Sequence, residues 1–399
     1  MSKHDFRHIV VVGGCGHVGL PLALSLAKTD LFVSAFDINQ NSVERVNRGQ
    51  VPFFEEGLDD LLKSELSTGR FKATTDAEVI SQSQVVIIVI GTPVDEHLNP
   101  DRSAIRRVLE SLSAFLNDGQ LLILRSTIYP GVTRMVEDYV ATLGKNIDIA
   151  FCPERIAEGN ALKEIHSLPQ LIGARSQVAM NRASQVFDKI ASSIIKVSPE
   201  EAELAKLFTN TWRYLKFAAA NQLYMIANDA GVDFERVRHA VTFDYPRADD
   251  MPGAGFAAGP CLLKDTMQLA AFNNNQFTLG NASMMVNEGL PLYLVSQAEK
   301  RFDLKHLTVG ILGMAFKGDS DDTRSSLSYK LKHVLDFRCK KIICADENVH
   351  DDHSLIPESQ LMQESDLIFI GAPHRRYRSL KIDKPTIDIW NLRGNGVLI

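Results

Sequence analysis

Short runs of mostly apolar residues set the strongest constraint on this chain. Residues 9–12, 31–37, 85–90, 121–124 and 147–151 are of this kind, and amphipathic stretches separate them, the first at about 18–28. Successive strand residues point to opposite sides of a sheet, so a near-continuous apolar run must be covered on both faces. The pattern predicts a parallel, doubly wound α/β domain. A similar rhythm returns from residue 307 with LTVGILG, a helix near 325–335, KIICAD, DLIFIGAP and TIDIW. It forecasts a second, smaller Rossmann-like unit made of the same supersecondary pieces.

Between the two the pattern changes after Ser198-Pro199. Residues 201–230 hold good helix formers with neither Gly nor Pro inside, and Gly231 supplies a stop. A helix of that length is about 45 Å long, more than one domain needs. It is expected to join the two α/β units and to offer an apolar face for homodimerisation, although a long internal helix would carry the same pattern. The expected borders are 1–197, 198–300 and 301–399, with a helical dimerisation domain in the middle.

Bulk properties exclude several partners. A chain of 399 residues is too long for one core. Its net charge of -6, without a basic block, argues against nucleic acid and anionic membranes. The apolar runs are too short to cross a bilayer, and MSKHDFRHIV lacks a secretory leader pattern. Five cysteines without CxxC spacing argue against a disulfide framework and a zinc ribbon, so a reducing cytoplasm is expected and no metal. The run His374, Arg375, Arg376 and Arg378 suits a small phosphorylated ligand or, equally, a solvated loop.

In VVGGCGHVGLPLALSLA, Gly14, Gly16 and Gly19 form G-x-G-x-x-G between a strand and a helix, with His17 and Val18 in the same loop. The first glycine is expected to make the tight turn, the second to let a pyrophosphate approach, and the third to pack helix on strand. Only a small side chain fits at Cys15. Asp37, ending the second strand, can accept both ribose hydroxyls and repel a 2′-phosphate, which favours NAD over NADP. Gly91-Thr92-Pro93 and Ser126-Thr127 follow further strand ends, where ligands of such sheets collect.

A second set of residues suggests chemistry. Lys206 and Asn210 share one helix face and can address one developing oxyanion. Cys261, in GAGFAAGPCLLKDTMQLA, sits where a loop enters a helix beside Lys264, a setting that favours a thiolate. Asp265 adds a carboxylate near the thiol, and CPERIAEG supplies Glu154, Arg155 and Glu158 after a strand end. With Thr127, a carboxylate there can activate water. Taken singly, each of these is as consistent with surface charge, and the cysteine with a small buried hydrophobe.

In series, GLPLA, FDINQNSVERVNRGQVPFFEEGLDDLL, GTPVDEHLNPD, RSTIYPGVT, CPERIAEGNAL, EAELAKLFTNTWRY, GPCLLKD and GILGMAFKGDSDDTRSS resemble the motifs of the UDP-glucose/GDP-mannose dehydrogenase family over nearly the whole chain. The resemblance implies a three-domain homodimer that uses NAD to oxidise a sugar C6 alcohol to a carboxylate in two hydride transfers. It implies Cys261 as nucleophile, Lys206 and Asn210 as oxyanion stabilisers, Asp265 and Thr127 as water-ordering groups, and Glu154 as base for thioester hydrolysis. Lys264 then lies beside the nucleophile and the cofactor. Glu154, Arg155, Glu158, Lys206, Asn210, Arg247, Phe256, Gly259, Phe316, Lys317 and Arg324 would meet a nucleotide sugar, expected to be UDP-linked, with Arg324 reaching across the dimer.

The sequence also departs from the family pattern. Ala257-Ala258-Gly259-Pro260 replaces a doubled glycine and a small polar residue, Gln222 replaces an acidic residue, and Asp346-Glu347 replaces Asp-Pro. Pro153-Glu154-Arg155 is similar to members acting on UDP-N-acetylhexosamines, whereas Lys264-Asp265 is similar to the UDP-glucose branch. A two-electron NAD-dependent hydroxyacid dehydrogenase, or a silent sensor of NAD or a nucleotide sugar, are the competing readings.

Overall fold

The computed structural model describes residues 6–92, 101 and 103–399. They form two compact units, Met1–Thr209 and Asn210–Ile399. In the first, strands β1 (His8–Val12), β2 (Phe32–Phe36), β3 (Phe71–Thr74), β4 (Val85–Ile88), β5 (Leu121–Leu124), β6 (Asp148–Phe151), β7 (Gln170–Gly173) and β8 (Ile194–Val197) make one sheet in the order 3-2-1-4-5-6-7-8. The strands β1 to β6 run parallel, and the order reverses between β1 and β4, the switch point where such sheets open a crevice. At Phe151 opposite Gly173, β7 pairs antiparallel with β6, and β8 runs parallel to β7.

The apolar runs mark the centre of this sheet and miss its margins. Every residue of β4 and β5 is buried, whereas β3 and β8 each leave residues half-buried or exposed. The margin strands β3 and β8 therefore lack the continuous apolar signal; they and β7, which is fully buried but only four residues long and begins with Gln170, come from the structure alone. The helix Gly19–Ala27 is buried along its whole length, and its Leu20 and Leu24 pack with Ile9, Val11, Val33, Ile87 and Ile123 in the principal core of this unit.

The long helix runs Pro199–Asp229, 31 residues. A reciprocal capping box starts it: the Ser198 N–H donates to Glu201 Oε2 at 2.7 Å, and the Glu201 N–H donates to Ser198 Oγ at 3.3 Å. Gly231, with φ +72, ends the turn that comes after it. In its first turns Glu203 is buried and accepts the N–H groups of Gly131 at 2.7 Å and Thr133 at 2.8 Å, and the Thr133 hydroxyl at 2.6 Å. It thereby caps the helix Val132–Thr142, whose own N-cap glycine has no side chain to do so.

The second unit holds the rest of the long helix, the helix Thr278–Glu299, and a parallel sheet of β9 (Thr308–Leu312), β10 (Lys341–Ala345), β11 (Leu367–Ile370) and β12 (Thr386–Ile387), in the order 10-9-11-12. A buried amide joins the two helices, because Asn221 Nδ2 donates to Asn287 Oδ1 at 2.9 Å. Asn221 also pairs with Gly255 in both directions, at 3.0 and 2.9 Å, and so fixes the glycine-rich segment before residue 261 to the helix. No described helix is long and apolar enough to cross a membrane.

Replacing Glu203 by Ala removes the acceptor of the part-buried Gly131 N–H and of the buried Thr133 N–H. The expected loss is about 1–3 kcal/mol of stability, read as a lower denaturation midpoint at unchanged slope; an unchanged midpoint contradicts the capping role.

Candidate active site

The turn after β1 divides its work among four glycines. Gly13 has φ +78, and a Cβ there would lie 1.9 Å from the Val89 carbonyl oxygen. The tight turn expected of Gly14 is thus made by Gly13, one residue earlier, because only there does the chain enter the left-handed region. Gly14 serves packing instead, since its Cβ would lie 2.6 Å from that of Ala35 on β2. Gly19 has the expected part, its Cβ position being 2.2 Å from the Gly13 carbonyl oxygen. At Gly16 the nearest atom to a Cβ would be 3.7 Å away, so the space there is open to a ligand.

The helix that opens at Gly19, with Val18 as N-cap, has no side-chain cap, which suits a pyrophosphate. Asp37 lies just past β2 and accepts the Cys15 N–H at 3.1 Å and the Asn39 N–H at 3.0 Å. His17 stacks on Phe53 at 4.1 Å, with Nε2 3.7 Å from the Glu158 carboxylate. Two neighbouring strand ends are tied together: Ser126 Oγ accepts the Ile90 N–H at 2.8 Å, and the Thr92 hydroxyl donates to the Thr127 carbonyl at 2.6 Å. Gly91 between them is exposed, and Pro93 lies outside the described residues. An open glycine, an uncapped helix start and a carboxylate at the second strand end fit a dinucleotide.

Beneath the end of β6 sits a buried ion pair that residue patterns do not reveal. Arg125 Nη2 meets Glu154 Oε2 at 2.5 Å, its Nη1 donates to Gln170 Oε1 at 2.9 Å and to the Cys152 carbonyl at 3.2 Å, and its guanidinium lies over the Phe187 ring. The Ile156 N–H donates to the other Glu154 oxygen. Arg155 donates to the Pro169 carbonyl, and burial pulls its pKa down, against the nearby Glu154 charge. Glu55, equally unmarked within FFEEG, accepts the N–H groups of Gly159 and Ala161, both at 2.7 Å, and so shapes the turn that carries Glu158. A buried partner at large sequence separation leaves no local signature.

In the second unit the helix Leu262–Phe272 has Cys261 as its N-cap, and the thiol is exposed. Asp265, one turn on, is fully buried. Its Oδ2 accepts from Asn210 Nδ2 at 2.5 Å, and Lys264 Nζ lies 3.6 Å from its Oδ1. Asn210 is therefore joined to the cysteine helix, and Lys206, also buried, stands one turn before it on the long helix. Gly259 packs against Phe316, whose ring a Cβ would strike at 2.6 Å, and its N–H donates to the Ser325 carbonyl at 3.3 Å.

Lys317 Nζ lies 5.6 Å from the Phe316 ring centre. The Arg324 guanidinium pairs with Asp322 at 2.5 Å and stays more than half exposed. Phe256 is buried edge-on against Trp390, and Arg247 is exposed beside Tyr245. In the basic run at 374 the three arginines are exposed, as in a solvated segment, whereas His374 is fully buried; Arg375 pairs with Asp319, and Arg376 pairs with Glu347 and Glu358. Carboxylates distant in sequence pair with two of its arginines.

Comparison with known proteins gives this arrangement a family. The UDP-glucose/GDP-mannose dehydrogenase family matches in three consecutive parts: its NAD binding domain at residues 7–191, its central domain at 200–289 and its UDP binding domain at 310–393. The chain belongs to this family. It is an NAD-dependent nucleotide-sugar dehydrogenase. It is 29% identical over 384 residues to the UDP-N-acetyl-D-mannosamine dehydrogenase of Pyrococcus horikoshii, covering 93% of this chain and 90% of that one. It is 28% identical over 408 residues to the NDP-N-acetyl-D-galactosaminuronic acid dehydrogenase of Ralstonia nicotianae, covering 95% and 94%. Its fold matches that of a UDP-glucose dehydrogenase from Pyrobaculum islandicum with a TM-score of 0.89 and 27% identity, over 97% of this chain and 95% of that one.

The thiols of the dehydrogenase divide sharply. Burial pushes Cys15, Cys152 and Cys344 up to about 12, with the Asp37 charge adding to the effect at Cys15, and burial raises Cys339 as well. None of these four is a thiolate to any useful extent near neutral pH, and Cys261 alone among the five is exposed. A thiol reagent at pH 7.5 should therefore titrate one fast group in the native enzyme. The Cys261→Ser variant should lose that fast phase; its persistence would show that another sulfur is the accessible one.

Proposed function

We propose that this dehydrogenase oxidises the C6 primary alcohol of a UDP-linked N-acetylhexosamine to the carboxylate, in two hydride transfers with Cys261 as covalent nucleophile. The observation that carries the reading is the placement of Cys261: an exposed thiol at a helix N-terminus, one turn from a buried carboxylate held by Asn210 and Lys264. The names of the curated relatives and the Pro153-Glu154-Arg155 segment favour an N-acetylated hexose over glucose.

NAD supplies the two-electron acceptor for each oxidation. Gly14, Gly16, His17, Val18 and Gly19 would hold its pyrophosphate at the helix start, and Asp37 would accept from the ribose hydroxyls. Gly91, Thr92, Pro93 and Ser126, with Lys264, are assigned to it and would complete its contacts. Lys206 and Asn210 stabilise the alkoxide left when the C6 hydroxyl loses its proton, from whose carbon the hydride departs, and then the tetrahedral oxyanions. After the first oxidation the Cys261 sulfur adds to the aldehyde carbon, and loss of a second hydride converts that thiohemiacetal to a thioester.

Asp265 and Thr127 orient the water that attacks the thioester, and Glu154 takes its proton. Arg125 and the Ile156 N–H engage each Glu154 oxygen once, which leaves each a further lone pair. Carbon–sulfur cleavage then releases the uronic acid and restores the thiol. Arg155, Glu158, Arg247, Phe256, Gly259, Phe316, Lys317 and Arg324 are assigned to the nucleotide sugar. Five cysteines without CxxC spacing suit a cytoplasmic enzyme.

The test is NADH release across UDP-N-acetylmannosamine, UDP-N-acetylglucosamine, UDP-N-acetylgalactosamine, UDP-glucose and GDP-mannose. We expect two NADH per acid formed with an N-acetylated UDP-sugar. Cys261→Ala should form little acid and Lys206→Ala should lose about a hundredfold in kcat. Full conversion to acid by Cys261→Ala, or one NADH per turnover in the wild type, defeats the covalent route.

Homodimerisation is proposed along the long helix. Trp212, Ala219, Leu223 and Ile226 recur at helical spacing on one exposed face, an apolar stripe of the kind that a second copy covers. Leu223→Glu with Ile226→Glu should shift the sedimentation coefficient from dimer to monomer. An unshifted dimer places the interface elsewhere.

A further inference from the structure

The dehydrogenase reading leaves the basic run at 374 without a task, yet the structure builds it into a clamp. His374 Nε2 lies 3.0 Å from Asp346 Oδ2. Its Nδ1 accepts the Asp319 N–H at 2.8 Å and faces the Asn348 side-chain nitrogen at 2.8 Å. Two N–H donors converge on Nδ1, so that nitrogen bears no proton and the ring donates through Nε2. Asp346 comes directly after β10, and the same Oδ2 also accepts the N–H groups of Met314 at 2.7 Å and Ala315 at 3.0 Å. One imidazole–carboxylate pair thus grips both ends of the segment 314–319, which carries Phe316 and Lys317.

The segment shows why it needs gripping. Asp319 has φ +53, a left-handed conformation that a side chain with a Cβ disfavours. Such a residue persists only where its surroundings over-determine it, and these sites gather at ligand clamps. Here His374 holds the Asp319 N–H, the Arg375 N–H donates to Asp319 Oδ1 at 2.9 Å, and the Arg375 guanidinium pairs with the other oxygen. Gly318 lets the strand of chain lie directly on the turn, since a Cβ there would be 2.4 Å from the Pro373 carbonyl oxygen. Burial opposes the charge on Asp346, but hydrogen bonds from His374, Ala315 and Met314 outweigh it and hold the carboxyl below its ordinary range.

We propose that His374 is the positioning residue of the nucleotide subsite, fixing the backbone of residues 314–319 so that Lys317 meets the nucleoside diphosphate half of the substrate. The inference rests on the assignment of Lys317 to the nucleotide sugar and adds what keeps it there. His374 touches no substrate atom. It acts through the main chain of Asp319 and, by way of Asp346, through that of Met314 and Ala315.

Calorimetry with UDP alone, together with steady-state kinetics, tests it on the full-length enzyme. His374→Ala should weaken UDP roughly tenfold and raise KM for the UDP-sugar by a similar factor, with kcat and the KM for NAD little changed. His374→Gln, whose amide can donate to Asp346 and accept from the Asp319 N–H, should recover most of the loss. Asn348→Ala, which removes only one donor to Nδ1, should weaken UDP less and serves where His374→Ala does not fold. UDP affinity untouched in both Ala variants, or parallel loss of UDP affinity, NAD affinity and kcat, overturns the positioning role. Lys317→Ala separates the two layers: if it binds UDP like the wild type, the assignment of Lys317 fails, whereas a weakened Lys317→Ala beside an unaffected His374→Ala sinks this inference alone.

Discussion

A main-chain N–H that leaves water at the end of a strand must find an acceptor, and in this chain the acceptor is repeatedly a carboxylate brought from a distant element. Asp37 answers Cys15 in the first glycine turn, Glu55 answers Gly159 and Ala161, Glu203 answers Gly131 and Thr133, and Asp346 answers Met314 and Ala315. Each is a charge-assisted bond to a loop that carries a residue of the candidate site or adjoins one. The loops, and the starts of the helices Val132–Thr142 and Ala161–Ser167, are thereby held at one geometry. A dehydrogenase that must align a nicotinamide ring with a substrate carbon needs that rigidity.

The two sheets use this device to different ends. In both, the glycine after the first strand donates to the last carbonyl of the adjacent strand, Gly13 to Phe36 and Gly313 to Ala345, each at 2.8 Å. In both, the aspartate just past that adjacent strand accepts from the glycine loop. In the first unit a helix opens at Gly19, close behind the turn, and leaves its N–H groups for a pyrophosphate. In the second, a long loop precedes the helix Leu327–Asp336, and His374 covers the aspartate. The same supersecondary piece makes a dinucleotide cradle in one unit and a clamped loop in the other, because a helix leaves the turn at once in the first and only after a long loop in the second.

Burial sorts the cysteines in the same way. A thiol is a nucleophile only as thiolate, and apolar surroundings suppress that form. Cys15, Cys152 and Cys344 lie in such surroundings, whereas Cys261 stands at the end of a loop shaped by Gly255, Gly259 and the Asn221 amide. Composition counts five equal sulfurs, and packing leaves Cys261 as the exposed one.

Much of this is legible in the residues. Near-continuous apolar runs mark the buried strands, the Gly-free and Pro-free stretch after Pro199 marks the long helix, and the spacing of Gly14, Gly16, Gly19 and Asp37 marks a dinucleotide turn, because all are local consequences of backbone geometry and side-chain periodicity. The half-exposed strands β3 and β8 give no such signal, and the tight turn falls one glycine earlier than the spacing implies, since φ depends on what the chain meets, here Val89. Arg125 beneath Glu154, Glu203 against Gly131, Asn210 on Asp265 and His374 on Asp319 are decided only by the tertiary structure. Their partners lie 29, 72, 55 and 55 residues away, and an interaction between groups that distant along the chain exists only once the fold has removed both from water.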